Sequence, residues 1–197
     1  MPVQPLILAS SSPRRHELLA SMGVPFEVHA ADVDENLEGA PEEVVKQLAY
    51  RKAQALFEQH PDRLILAADT LVSIGDKVFG KPLDDLDAYR MIAALQGTWH
   101  EVHSGVCLLS ASNPAGDIRH AVTRVHFVSL SDEEISAYIR SGEPSGKAGA
   151  YAIQGHAGMF VSEISGSYSN VIGLPTALVR DMLKASHYLK FLQEQVV

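Results

Sequence analysis

The chain has 197 residues, of which 46% are hydrophobic and 20% charged, and these proportions are typical of a globular protein with a sizeable core. Its formal net charge of −8 argues against general binding to nucleic-acid backbones, so any site for a polyanion must be local. The single cysteine, Cys107, excludes an intramolecular disulfide framework and is expected to pack in a strand. Because the sequence contains no basic leader and no long apolar stretch, we expect a cytoplasmic protein that binds neither membranes nor nucleic acid.

The first predicted strand, over residues 6–9, leads through a serine-rich turn into a helix that begins at Pro13 with Ser12 as its N-cap. Arg14 and Arg15 stand in the first turn of this helix, where cations oppose the helix dipole. One interpretation is an anion site formed by backbone N–H groups, hydroxyls and guanidinium groups. The other is an ordinary helix with solvated arginines, and the residues alone leave both open.

A second predicted strand over 26–30 is followed by an acidic loop that contains Asp32, Asp34 and Glu35. Three carboxylates so close in sequence are either hard oxygen ligands for a divalent cation or part of a solvated turn. A long helix is then predicted from Pro41 to about residue 60.

Lys52 falls on the apolar stripe of this helix, seven residues after Val45. A lysine there either extends to solvent at the edge of the stripe or supplies a cation to a site beside the core. Both interpretations remain open.

The most apolar strand is predicted over 64–68, and it ends in Asp69 and Thr70. Ligands of α/β sheets lie beyond the carboxyl ends of strands, and burial of an unpaired carboxylate is costly. We therefore expect Asp69 to be functional. A short hairpin turn over 75–77 follows, and Lys81 comes just after its second strand.

The second half of the chain is rich in predicted strands. Two strands, over 99–110 and 118–129, are expected to form a hairpin with a loop at 113–117. A helix capped by Asp84 or Asp85 precedes them, and a capping box at Ser131 follows. Helices alternate with strands only in the first half, which predicts an α/β fold with a mixed central sheet and flanking helices.

Several common catalytic motifs are missing from the sequence. It contains neither the HExxH pattern of zinc peptidases nor the G-x-S-x-G pattern of serine hydrolases. The glycine-rich segment 142–147 is one residue shorter than a P-loop and lacks the serine or threonine that follows its lysine, so we reject a Walker motif.

Five segments, in order along nearly the whole chain, resemble the Maf family of nucleoside triphosphate pyrophosphatases. They are residues 8–19, 68–72, 80–82, 147–155 and 166–175. The resemblance implies one domain over 1–197, with two lobes around a cleft as in inosine triphosphate pyrophosphatases. It also implies hydrolysis between the α- and β-phosphates, a divalent metal cation (Mg²⁺, Mn²⁺ or Co²⁺) and a homodimer.

The resemblance also implies roles for individual residues. Asp69 would be the catalytic base and, with Glu35, would hold the metal, while Gln154 would read the base. Arg14 and Thr70 would be associated with specificity, and Ser10, Lys52, Lys81 and Lys147 would contact phosphates. The Tyr-Ala-Ile-Gln-Gly form of residues 151–155 is similar to the branch acting on dTTP and UTP.

Four positions depart from the commoner family pattern without removing a charged or base-reading group: Ser11, Ser104, Ala152 and Thr176. Two alternative functions remain: a regulator of cell division that senses nucleotides without turnover, and the related 7-methyl-GTP pyrophosphatase activity. The presence of Asp69 favours an enzyme, because a sensor needs no catalytic base.

Overall fold

The computed structural model describes residues 4–189, and in that part of the chain it contains seven β-strands and six α-helices. The strands are β1 (Leu6–Ala9), β2 (Phe26–His29), β3 (Ile65–Ile74), β4 (Lys77–Phe79), β5 (Trp99–Ser110), β6 (Asn113–Phe127) and β7 (Val161–Ser165). The helices are α1 (Pro13–Ser21), α2 (Pro41–Phe57), α3 (Asp85–Leu95), α4 (Asp132–Arg140), α5 (Tyr168–Ile172) and α6 (Thr176–Ala185). Two short 3₁₀ turns cover Ala148–Ala150 and His156–Phe160.

The strands form a mixed sheet in the order β2-β1-β3-β5-β6-β7, with β4 paired to β3. β1 runs parallel to both β2 and β3, whereas β4 is antiparallel to β3 and β7 is antiparallel to β6. The predicted α/β fold with a mixed central sheet and flanking helices is therefore confirmed.

The chain divides into two compact units. Among the described residues, the first comprises 4–69, 104–121 and 173–189, and the second comprises 70–103 and 122–172. None of the helices in residues 4–189 is both long and apolar enough to cross a membrane.

Strands β1 and β3 are buried on both faces in the first unit, which explains their continuous apolar sequences. Alternate residues face opposite sides of a strand. One side packs with α1 and α6 through Leu6, Leu8, Leu66, Ala68, Leu19, Val179 and Leu183. The other side packs with α2 through Ile7, Ala9, Ile65, Ala67, Ala49, Ala53 and Leu56.

The second unit has its own core, in which aromatic rings pack edge to face. Phe127 contacts His100, Tyr151 and Phe160, with ring centroids 4.8, 4.9 and 6.0 Å away. Helices α3 and α4 cover this core with the side chains Met91, Ile92, Leu95, Ile135 and Ile139.

Helix ends follow the sequence closely. Pro13 and Pro41 begin α1 and α2, and the Asp84 side chain accepts a hydrogen bond from the Asp87 N–H at the start of α3. The predicted capping box of α4 is present, since Ser131 and Glu134 each accept the other's backbone N–H. Ser12 is the N-cap residue of α1 as predicted, but its side chain makes no capping hydrogen bond.

The prediction that Asp69 ends a strand is wrong. β3 continues through Asp69 and Thr70 to Ile74, because Val72, Ser73 and Ile74 pair with β4 and keep the strand extended. Asp69 thus lies inside a strand, and its side chain alternates with its neighbours across the two faces of the sheet.

The loop predicted at 113–117 is also wrong, since these residues belong to β6 and only 111–112 connect it to β5. Pro114 is tolerated because it lies at the beginning of the strand. The segment 166–175 contains the short helix α5, and β7 has no counterpart among the predicted strands.

Candidate active site

Two carboxylates converge on one buried ammonium group in the first unit. Lys52 Nζ lies 2.6 Å from Asp69 Oδ1 and 2.6 Å from Glu35 Oε1. The Lys52 and Asp69 side chains are 9% and 13% exposed, whereas that of Glu35 is 46% exposed. The group is therefore a partly buried charge cluster with one side open to water.

The alternation of β3 explains how Asp69 reaches Lys52. Ile65, Ala67 and Asp69 share the face of β3 that packs on α2, where Ala49 and Ala53 border the sheet. Lys52 lies on the same buried stripe of α2, whose other members are apolar. Of the two interpretations of Lys52, the structure supports a cation supplied to a site beside the core.

A glycine of β5 brings α2 close to the sheet. A Cβ atom on Gly105 would lie 2.2 Å from the carbonyl oxygen of Val45, so only glycine fits at this position. Val45 precedes Lys52 by seven residues, which is about two helical turns on the same face. The close contact at Gly105 therefore helps to fix the position of Lys52.

The acidic loop does not gather its three carboxylates. Asp34 Oδ1 accepts a hydrogen bond from the Asn36 N–H at 2.9 Å, and its carbonyl oxygen accepts one from Arg51 at 3.3 Å. Within residues 4–189 no group of three or more His, Cys, Asp or Glu side chains is arranged to hold a metal ion. Of this loop, Glu35 is the residue that contacts Lys52.

The serine turn after β1 is braced from α1. Ser10 Oγ accepts hydrogen bonds from the Ser12 N–H at 3.2 Å and from Arg15 Nη1 at 3.4 Å. His16 Nε2 donates a hydrogen bond to the Ser10 carbonyl oxygen at 2.8 Å. The serine-rich turn, which was interpreted from the sequence as a possible anion site, is therefore held by hydrogen bonds from two residues of the following helix.

The two arginines of α1 have different surroundings. Arg15 donates from Nε to the Gly173 carbonyl oxygen at 2.8 Å. Burial lowers the pKa of Arg15, while the charges of Asp69 and Glu35 oppose that shift. Burial also lowers the pKa of Arg14, and Glu17 opposes it. Arg15, which the sequence did not single out over Arg14, is thus the arginine coupled to the Asp69 cluster.

Sequence reasoning included both arginines in the possible anion site but gave an individual role to Arg14 alone, because Arg14 matched a family position and the doublet itself does not tell which side chain turns inward. The available signal was helical spacing, since Arg15 precedes Leu18 and the buried Leu19 by three and four residues.

Four predicted site residues belong to the second unit. Thr70 follows Asp69 in β3 and is partly buried, whereas Lys81 and Gln154 are exposed. The Lys147 ammonium group donates to the carbonyl oxygens of Glu143 and Ser145.

The segments that carry Lys81 and Lys147 are joined by a backbone hydrogen bond. The Gly149 N–H donates to the Gly80 carbonyl oxygen at 3.0 Å. Gly149 has a φ of 66°, and a Cβ atom there would lie 2.8 Å from Val72 Cγ2, so the position requires glycine on both grounds.

Cys107 is buried in β5, and burial raises the pKa of its thiol to about 12. A thiol that stays protonated is a poor nucleophile. The predicted packing role of Cys107 is confirmed by its place among the apolar residues against α2.

Comparison with known proteins identifies the family. The model of the family described as "Maf-like protein" matches residues 5–186. The chain belongs to the Maf-like family. The range matched by the family model includes Lys52, Glu35 and Asp69 as well as the serine turn.

Two curated relatives of this Maf-like chain are similar over nearly their whole length. A protein of Ruminiclostridium cellulolyticum named dTTP/UTP pyrophosphatase is 47% identical over 182 residues, which are 91% of this chain and 94% of the relative. A protein of Anaeromyxobacter dehalogenans with the same name is 48% identical over 187 residues, which are 93% and 94% of the two chains. Among solved structures, the Staphylococcus aureus Ham1 protein aligns with a TM-score of 0.41 and 10% identity over 63% of this chain and 72% of that protein.

Proposed function

We propose that this protein hydrolyses nucleoside triphosphates between the α- and β-phosphates, and that dTTP and UTP are its preferred substrates. The observation that carries the proposal is the pairing of Asp69 and Glu35 around the Lys52 ammonium, beside an arginine-braced serine turn. The names of relatives 44–48% identical to this chain support the choice of pyrimidine triphosphates.

Electrostatics support a phosphate site in this region. A triphosphate carries about four negative charges, so a protein with a net charge of −8 needs cations gathered locally to bind it. Arg14 and Arg15 in the first turn of α1, and Lys52 on α2, supply three cations in the first unit. We propose that the Arg14 guanidinium group and the Ser10 hydroxyl bind phosphate oxygens, while Arg15 braces the turn that carries Ser10.

We propose that Asp69 orients the attacking water and accepts its proton. General-base catalysis of this kind typically contributes a factor of about 10²–10⁴ to the rate. The ion pair with Lys52 holds the Asp69 carboxylate in one orientation, which is what a base aligned for attack at phosphorus requires.

The donor set of this cluster fits a magnesium-type ion. Such an ion is usually held by one or two carboxylates, with water and substrate phosphates as its other ligands. Glu35 and Asp69 already direct one oxygen each at a single cationic group. We propose that these two residues hold a divalent cation, which when bound neutralises phosphate charge and stabilises the leaving pyrophosphate.

We propose that Gln154 reads the pyrimidine base and that Thr70 and Arg14 contribute to nucleotide choice, while Lys81 and Lys147 contact phosphates. A side-chain amide presents both a donor and an acceptor, which matches the edge of thymine or uracil. Gln154 is exposed, so its side-chain amide is accessible to a ligand.

The proposal is tested by incubating the pure protein with a panel of triphosphates and Mg²⁺ or Mn²⁺. We expect fastest turnover of dTTP and UTP. The matched variant is Asp69→Asn, which keeps the shape and an acceptor oxygen but cannot take a proton from water. It should lower kcat by about 10²–10⁴-fold while nucleotide affinity, measured by calorimetry, is retained. Binding by the wild type without any turnover would favour a nucleotide sensor, and fastest turnover of 7-methyl-GTP would favour the related branch.

A further inference from the structure

The Glu143 carboxylate collects three hydrogen bonds in the second unit. Oε2 accepts one from the His156 N–H at 2.7 Å, and Oε1 accepts one from the Ala157 N–H at 3.2 Å. Oε1 also accepts one from the Tyr138 hydroxyl at 3.1 Å. The Glu143 side chain is only 15% exposed, so these bonds replace most of its contact with water.

The two backbone donors immediately follow Gln154 and Gly155. They begin the 3₁₀ turn His156–Phe160, whose first N–H groups have no partner within the turn itself. A negative charge at this end satisfies both donors and is favoured by the local backbone dipoles. Glu143 therefore fixes the backbone directly after the residue proposed to read the base.

Gly155 shows how closely the carboxylate is packed. A Cβ atom at this position would lie 2.3 Å from Glu143 Oε2 and 2.6 Å from Oε1. The φ of Gly155 is −104°, which other residues adopt easily, so the requirement for glycine is one of space. The Gly155 N–H also donates to the Ala152 carbonyl oxygen at 3.0 Å, which closes the turn around Gln154.

The carboxylate is itself held in place from α4. The Tyr138 hydroxyl lies near both Glu143 Oε1 and, at 3.2 Å, the Ala150 carbonyl oxygen, so it bridges the carboxylate and the preceding glycine-rich segment. Burial and the Glu143 charge raise the pKa of Tyr138, and the hydroxyl stays protonated as a donor.

We infer that Glu143 is a positioning residue that sets nucleotide selectivity by holding the turn that presents Gln154. The inference rests on the proposed function, because it assigns Glu143 to the base-reading step of that reaction. Within residues 4–189, the hydrogen bonds to the Glu143 carboxylate come from the His156 and Ala157 N–H groups and the Tyr138 hydroxyl, none of which is proposed to bind phosphate or to transfer a proton. We therefore expect Glu143 to affect the choice of base and not the chemical step.

The decisive experiment compares Glu143→Gln, Gln154→Ala and the double variant, with kcat/KM measured on UTP and ATP. Glu143→Gln keeps the size of the side chain but turns an amide NH₂ toward a backbone N–H, which breaks one of the two turn bonds. We expect the UTP preference to fall about 10-fold or more, mainly through KM for UTP, because misplaced recognition groups lose their discrimination.

The double variant separates positioning from general stability. If Glu143 acts through Gln154, the double variant should be no less selective than Gln154→Ala alone. Glu163→Gln, which changes an exposed glutamate of β7 in the same unit, should leave selectivity unchanged. Wild-type selectivity in Glu143→Gln, or additive losses in the double variant, would overturn the inference.

A second readout is independent of catalysis. Amide hydrogen exchange at His156 and Ala157 should accelerate at least 10-fold in Glu143→Gln and stay unchanged in Glu163→Gln. Should Glu143→Gln fail to fold, Gly155→Ala tests the same contact, since its Cβ atom displaces the carboxylate. A wild type without pyrimidine preference would refute the proposed function itself, whereas a selective wild type with an equally selective Glu143→Gln variant would refute only this inference.

Discussion

The replacement of Lys52 by methionine tests whether the buried ammonium holds the two carboxylates together. Glu35 Oε1 and Asp69 Oδ1 are each 2.6 Å from Lys52 Nζ. The two oxygens therefore lie within about 5 Å of each other, where two unit charges repel by about 3 kcal/mol at an effective dielectric constant of 20. Because Glu35 is half-exposed, water screens part of this repulsion, and we expect Lys52→Met to lower the free energy of unfolding by about 2 kcal/mol at pH 7.5.

Helix α2 offers a matched control in Lys46, which also bridges two carboxylates. Lys46 Nζ lies 3.1 Å from Glu42 and 2.6 Å from Glu43, but this cluster is on the surface. Lys46→Met should therefore change stability very little. Urea unfolding at pH 7.5 measures both variants. Equal losses in the two variants, or a fully stable Lys52→Met at pH 7.5, would refute the reasoning.

Two further predictions concern single side chains. Arg15→Ala should lower the free energy of unfolding by about 1–3 kcal/mol, because it removes charged hydrogen bonds to Gly173 and Ser10. Arg14→Ala should instead lower kcat/KM about 10- to 100-fold with little change in the free energy of unfolding. Urea unfolding and steady-state kinetics distinguish the two variants, and the reverse pattern would contradict the assignment. Burial lowers the pKa of His100 to about 4, and its Nδ1 has no hydrogen-bond partner among residues 4–189. As the pH falls, the His100 imidazole is therefore protonated in the unfolded chain before it is protonated in the folded protein. Because of His100, the free energy of unfolding should therefore fall by about 2 kcal/mol between pH 7 and pH 4.5. A plot of the free energy of unfolding against pH should be flatter in this range for His100→Gln than for the control variant His187→Asn. Parallel plots for the two variants would count against a buried neutral His100.

The fold was largely predictable because its signals are local. The apolar strands, the prolines that begin α1 and α2, and the capping box of α4 all depend on residues close together in sequence. The end of β3 was not predictable in this way, since its extension past Asp69 depends on pairing with β4. β7 likewise owes its extended form to pairing with β6, about forty residues earlier in the chain.

The candidate site was predictable as a set of residues but not as an arrangement. Lys52 was placed on a buried stripe by helical spacing, and Asp69 was marked by its apolar strand. That the two meet, with Glu35 as the third member, follows from packing of α2 on the sheet, against β3 and close to Gly105 of β5, which no local pattern contains. Glu143 was missed for a related reason: its donors lie thirteen and fourteen residues away.

The proposed reaction is tested most directly by identifying its products. UTP is incubated with the wild-type protein and Mg²⁺, and phosphorus NMR follows the nucleotide and inorganic products over time. We predict UMP and pyrophosphate in equal amounts from the first turnovers, with no UDP, and almost none of either product from Asp69→Asn. Formation of UDP and orthophosphate would place cleavage at the wrong phosphoanhydride bond, and unchanged turnover by Asp69→Asn would remove the base from the reaction.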